Sequence, residues 1–255
     1  MRLPILTLIL WKLAAAACSP IAGAGALWSH PSLRYVIVGE MHGSAETPAI
    51  FADLVCAARA SGRTVIAAIE HSPEEQEAID AFLHSEEPGN ARENLLSLKG
   101  WQSTDGRASR AMFGLLQSLR EMKVEVAAFD AGGGMAAADR ERAMAGALES
   151  TARRHPGALI IALTGNIHGS KKLFRGYSPM AMLLPPAETL SLLIVDRGGK
   201  VWASIDGTDG PHDLRSTGGD ERGVDLTPSR SHMGGYDGVL STGLASTASP
   251  PASAR

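Results

Sequence analysis

Two short stretches of this chain carry polar, chemically competent side chains two residues apart. They are Glu40 and His42 in Gly39-Glu40-Met41-His42-Gly43, and Asn166 and His168 in Gly165-Asn166-Ile167-His168-Gly169. In extended backbone, residues at this spacing project from one face, so each pair can reach a single ligand atom or touch one another. The flanking glycines allow unusual backbone angles and close approach of a ligand. Glu70-His71 and Asp130 add further acid–base groups. Such a set serves two chemistries: it passes protons as general acid and base, or it binds a divalent metal, with Glu40, His42 and His168 as the ligands.

Residues this far apart in sequence act together only if the fold gathers them. Apolar, β-rich runs occur at 35–38, 64–69, 124–129, 158–163 and 190–195, and a further strand is expected at 201–205. The first four lead directly into Glu40 and His42, Glu70 and His71, Asp130, and Asn166 and His168. Several runs are continuously apolar, which is how a sheet covered on both faces reads. The segments between most of them read as helices, which implies right-handed crossovers and an α/β fold: a mostly parallel, twisted sheet with helices on both faces. In such a sheet ligands sit beyond the carboxyl ends of the strands, so all these polar residues are expected along one edge.

Helix starts are marked by Thr47-Pro48, with Thr47 as cap, and by Ser72-Pro73-Glu74-Glu75, a capping box that assigns both glutamates a structural role. Further helices are expected at about 107–122 and 137–154, the latter ending in Arg153-Arg154, which offset the negative end of the helix dipole. Arg197-Gly198-Gly199 separates the last two strands and reads as a hairpin that gives the sheet an antiparallel edge. His30, His84, His155 and His212 lack a comparable setting and read as surface residues.

With 255 residues, 44% of them hydrophobic, the chain is long and apolar enough for a globular core, and two cysteines are too few for a disulfide scaffold. A net charge of −3 without a dense basic cluster argues against nucleic acid as partner and for a small molecule or a peptide. Arg2, the apolar run 3–11, Lys12 and four alanines before Cys18 read as a signal peptide within residues 1–26, which places the protein in the periplasm or cell envelope. Two cleavage points compete: before Cys18, with a lipid on that thiol as the only membrane attachment, or after Ala24-Gly25-Ala26. Either cut leaves Cys56 without a partner in the folded domain, as a buried small hydrophobe. The α/β domain is expected over 30–206, and 207–255, rich in Gly, Ser and Pro, as mostly loop and tail in which the island 236–240 could add a short strand.

Val36-Ile37-Val38-Gly39-Glu40-Met41-His42-Gly43, with Glu46 and Pro48 following, resembles the G-E-x-H opening of the ChaN-like haem-binding lipoproteins, which share a superfamily with the erythromycin esterases and the Tiki/TraB proteins. Ile69-Glu70 with Gln76, Ile79 and Phe82 resembles that group's second strand and helix, and Trp101 precedes a helix as it does there. Arg140-Glu141-Arg142-Ala143-Met144-Ala145 resembles its R-D-x-x-M-A helix start, and Leu163-Thr164-Gly165-Asn166-Ile167-His168 its G-x-x-H strand end. The chain departs from the esterases by one residue fewer between Glu and His, and from ChaN by Gly43 where that family has Asp.

The resemblance implies macrolactone hydrolysis in one branch, metal-dependent proteolysis in another and haem binding in a third. Two functions follow as expectations. In a hydrolase, His42 acts as general base on water, oriented by Glu40 or Glu70; His168 protonates the leaving group or steadies the oxyanion; Arg140 clamps a carboxylate or the oxyanion. Glu46, His71, Asp130 and Asn166 complete the substrate site, and a variant places a metal between Glu40, His42 and His168. In a haem carrier, Tyr177 or His168 is the axial ligand, beside Met180 and Met182. A homodimer enclosing the ligand is what a ChaN-like resemblance allows.

Overall fold

The computed structural model describes residues 18–132, 134–227 and 235–254. In chain order the elements are α1 (Gly25–Trp28), β1 (Tyr35–Glu40), α2 (Glu46–Ala60), β2 (Val65–Ile69), α3 (Gln76–His84), α4 (Pro88–Ser97), α5 (Arg110–Glu121), β3 (Glu125–Ala128), α6 (Ala137–Arg154), β4 (Leu159–Gly165), α7 (Met180–Leu183), β5 (Thr189–Val195), β6 (Gly199–Ile205), β7 (Thr208–Leu214), β8 (Gly223–Asp225) and β9 (Gly238–Ser241). Seven strands form one sheet in the order β3-β2-β4-β1-β5-β9-β8, parallel except for β8, which runs antiparallel to β9.

Alternate residues of the strands feed two apolar layers, as the two-residue side-chain period requires. Val36, Val38, Ala67 and Ile69 pack with Phe51 and Leu54 of α2, Ile79 of α3 and Leu116 of α5. Ile37, Ala68, Ile160 and Ala162 pack on the opposite face with Met144 and Leu148 of α6 and Met180 of α7. The expected α/β class therefore holds, with helices on both faces. Register levels the site: Glu40 pairs with Gly165, and Ile69 with Leu163, so β1, β2 and β4 finish side by side.

Several local expectations are corrected. Ser44, not Thr47, caps α2, its hydroxyl accepting the N–H groups of Glu46 at 3.2 Å and Thr47 at 3.3 Å. The third helix starts later than 107, at Arg110 behind the Ser109 cap, which leaves residues 105–107 in a loop. Gly198 and Gly199 do not form a hairpin between β5 and β6. Both take positive φ and turn the chain out of the sheet. β6 instead pairs with β7 in a separate antiparallel ribbon, through the two-residue Asp206-Gly207 loop whose φ values of 51° and 76° are those of the turn this dipeptide favours. The antiparallel edge of the main sheet is supplied by β8.

The region 207–255 is not a tail. It supplies β7, β8 and β9, and buries Tyr236, Val239, Leu240, Ser246 and Ser249. Its backbone is held by the loop after β1: Ala45 N–H donates to the Thr247 carbonyl at 2.9 Å and Ser249 N–H to the Gly43 carbonyl at 2.8 Å.

Residues 1–17 of the expected leader lie outside the described residues, and those from Cys18 on are built into the fold. Ile21, Ala24 and Leu27 are buried in the core, and Cys18 forms a disulfide with Cys56 of α2. Cys56 thus has the partner that the cleavage argument denied it, and the Cys18 sulfur, bonded to another sulfur, is closed to the lipid expected there.

Candidate functional site

Glu40, the last residue of β1, is buried and turns Oε1 to the Nδ1 of His42 at 3.0 Å. The other ring nitrogen of His42, Nε2, faces Glu70 Oε2 at 3.6 Å. Glu70 follows β2 directly, and its Oε2 accepts the Gly165 N–H and the Thr164 hydroxyl, each at 2.7 Å. Its Oε1 accepts an N–H of Arg140 at 3.0 Å and lies 3.7 Å from His168 Nε2. The two histidines, from the turns after β1 and β4, therefore turn their Nε2 atoms to the two oxygens of a single carboxylate. A Cβ at Gly165 would stand 3.0 Å from His42 Nε2 and against His168 and Glu70, so any side chain there would press on the His42 ring.

His168 is held as His42 is. Its Nδ1 meets Glu141 Oε1 at 2.7 Å, and Glu141 Oε2 accepts the Met180 N–H at 2.7 Å. With Nδ1–H given to Glu141, Nε2 accepts from the Arg140 guanidinium, 3.1 Å away. Arg140 in turn is clamped two-pronged on Asp130, at 2.8 and 2.9 Å. Arg107 reaches Asp130 at 3.0 Å from the loop before α5 and is itself held by Asp105.

These contacts set the charges. Burial pushes the Glu40 carboxyl up from its ordinary range, against the hydrogen bond from His42, and its Oε2 is buried without a partner. Burial opposes charge on His42, yet Glu70 first and Glu40 second outweigh it and push the imidazole up to about 9. Burial would raise Glu70, but the neighbouring His42 and His168 and the hydrogen bonds from Gly165 and Thr164 hold it at about 2. The guanidinium of Arg140 keeps Asp130 below its usual value despite partial burial.

The structure thus brings Glu40, His42, Glu70, Asp130, Arg140 and His168 together, with Asn166 at the rim, its N–H on the Glu40 carbonyl at 2.8 Å and its own carbonyl accepting the Tyr236 hydroxyl. Two of the expected substrate contacts have partners within the protein, although His71 also borders the cleft beside the site. Glu46 points to the C-terminal segment, accepting the Thr247 N–H at 2.8 Å, and braces the fold. His71 is buried, stacked on Trp101, with Nδ1 on Glu75 at 2.8 Å and Nε2 on the Arg107 carbonyl at 3.3 Å. Both of its nitrogens are spent on packing.

Glu141 and Arg107 received no role from sequence. Glu141 carried a readable signal: it lies on the stripe Glu141, Met144, Ala145, Leu148 that faces the core, and an acid there needs a partner. Arg107 carried none, because a loop delivers it.

The expected metal set does not fit. Among the described residues, no group of three His, Cys, Asp or Glu side chains is disposed to hold a metal ion. The Arg140 guanidinium already bonds both His168 Nε2 and Glu70, and His42 Nδ1 is turned to Glu40. The same contacts engage both nitrogens of His168 and close it as an axial haem ligand. Tyr177, half-buried, packs edge-on against Phe174 in a turn beyond β4. Beside the site a cleft of ≈ 530 Å³ opens over Glu70, Arg107 and Asp130, bordered by Ser72, Lys99 and Ser103.

No family model and no curated protein sequence matches the chain. Among solved structures, a mutant of the erythromycin esterase EreC in its open conformation superposes with a TM-score of 0.63 at 12% identity, covering 88% of this chain and 93% of that one. The fold is that of an erythromycin esterase. A Bacillus cereus protein superposes with a TM-score of 0.57 at 11% identity, covering 93% and 95%. At these identities the likeness is one of fold, and chemistry must be argued from the site.

Proposed function

We propose that the chain is an exported hydrolase that uses water to cleave an ester or amide bond in a small molecule or peptide. One observation carries this reading: two imidazoles, each fixed through Nδ1 by a buried carboxylate, turn Nε2 to the two oxygens of Glu70, a residue that lines the adjoining cleft. Carboxylate-fixed imidazole is the arrangement that proton transfer requires, because the tautomer and ring orientation are set before the substrate arrives.

His42 is the proton carrier. Its Nε2 is 3.6 Å from Glu70, too far for a hydrogen bond, and the ring is 20% exposed, so water has access to it. Water bound there gives a proton to Nε2 as its oxygen attacks the carbonyl carbon; the same proton passes to the leaving group as the carbon–heteroatom bond breaks. Arg140 supplies positive charge to the oxyanion, and His168, bonded to that guanidinium, positions it. This reading gives His168 a positioning role in place of the expected leaving-group acid, because its Nε2 is turned to the Arg140 guanidinium.

The cleft volume is in the range of small-molecule sites, and the esterase fold supports the reaction class. The Cys18–Cys56 disulfide supports export, since such bonds persist in oxidising compartments. Among the described residues no helix is long and apolar enough to cross a membrane. The test is turnover of a p-nitrophenyl ester panel and a peptide pool by the full chain. Loss by about 10²-fold or more in both His42→Ala and Glu40→Gln is expected; turnover unchanged in His42→Ala refutes the assignment.

A further inference from the structure

We infer that the mature protein begins at Cys18, through hydrolysis of the Ala17–Cys18 bond, and that Cys18 is then oxidised onto Cys56 in place of being acylated. The inference is independent of the hydrolase reading.

Residues 18–28 are tied into the fold at every step. Cys18 is bonded to Cys56 of α2. Ser19 N–H donates to Asp53 at 3.1 Å, and Arg222 bridges the Pro20 carbonyl at 3.1 Å and Asp53 at 2.6 Å. Val224 N–H of β8 donates to the Ala22 carbonyl at 2.7 Å. Ile21, Ala24 and Leu27 are buried, Leu27 completely. A cut after Ala26 would discard the disulfide, the partner of the sheet's last strand and two core side chains. A cut before Cys18 discards none of them.

The sequence supplies what that cut requires. Arg2 precedes a nine-residue run, 3–11, and Ala15 and Ala17 stand three and one residues before the bond, the small-residue pattern a signal peptidase reads. Hydrolysis adds water across the Ala17 carbonyl and the Cys18 nitrogen, leaving a carboxylate on the leader and an α-amine on Cys18. The two thiols then lose two protons and two electrons to a disulfide-bearing oxidant of the envelope. A thioether to lipid would need the same sulfur, so the bridge and the lipid exclude each other.

The full chain, expressed with its own leader in a bacterial host, is isolated from the envelope fraction and weighed intact, with alkylation before and after reduction. The expected product is residues 18–255, two hydrogens lighter than the dithiol, that takes up two alkyl groups only after reduction. Ala17→Arg is expected to accumulate the uncleaved chain, whereas Ala26→Arg is processed as the parent is. A product beginning at Leu27, an acylated Cys18, a retained leader in the parent chain, or two thiols alkylated without reduction would each overturn the inference. Cys56→Ser gives a second reading, with one alkylatable thiol on Cys18 expected and an acyl group there overturning it.

Discussion

His42 Nε2 and Glu70 Oε2 face each other at 3.6 Å, the imidazole pushed up to about 9 and the carboxyl held at about 2. Each stabilises the charge on the other, and the rate law inherits this. As a base His42 must first lose its proton, so kcat/KM for an ester substrate is expected to rise with pH through a limb near 9. Glu70→Gln removes the foremost charge raising His42 and should move that limb toward the ordinary imidazole value. A pH profile measures both. Activity that instead falls above pH 9 would make His42 the acid.

The same pair links stability to pH. Glu70 sits at about 2 when folded against an ordinary 4.5, so its contribution, present above about pH 4.5, is lost as pH falls through that interval. Glu40, raised by burial, works against it there. His42, at about 9 against 6.5, contributes fully below pH 6.5 and loses that contribution as pH rises through 9. Thermal melts of the parent chain should therefore show Tm falling from pH 6.5 to 9, and Glu70→Gln should flatten that decline.

Glu141 holds His168 Nδ1 and the Met180 N–H with its two oxygens. Glu141→Ala leaves both donors unpaired in a buried setting and is expected to cost about 2 kcal/mol of stability. It should also cut turnover, because the His168 ring that Arg140 bonds is no longer fixed. If the three residues act as one chain, His168→Ala and Glu141→Ala together should cost little more than either alone in a double-mutant cycle. Full additivity would separate them.

Gly39 lies against the hydroxyl end of the Tyr236 ring, where a Cβ would clash. Gly39→Ala is expected to destabilise by about 1–3 kcal/mol and to displace the adjoining Glu40. Tyr236→Leu in the same chain should restore part of the loss, read as Tm and as turnover. A Gly39→Ala chain of unchanged Tm would refute the contact.

Reduction of the Cys18–Cys56 bridge, which spans 38 residues, is expected to lower stability by about 3–4 kcal/mol and Tm by roughly 10 °C, measured by calorimetry with and without reductant.

What the sequence disclosed follows from where polarity interrupts apolar runs. Glu40, Glu70, Asp130 and His168 stand where strands end, and the parallel sheet aligned them. Strand-end placement does not say which way a side chain turns, and so the stacking of His71 on Trp101 and its bond to Glu75 could not be read from its place beside Glu70. Arg107 arrives from a loop whose path depends on where α5 begins. Within 235–254 the apolar island 236–240 was legible and runs into β9, whereas 245–254 was not, because it is held through small polar residues and backbone hydrogen bonds, such as Ser249 to Gly43, and composition registers only apolar side chains.

That segment is made after every other part of the site. Until Ser249 is in place, the Gly43 carbonyl beside His42 has only the Trp202 N–H as a partner, so on the proposed reading the site is completed by some of the last residues to be made. A tag or truncation placed there would silence the molecule without touching one reactive atom.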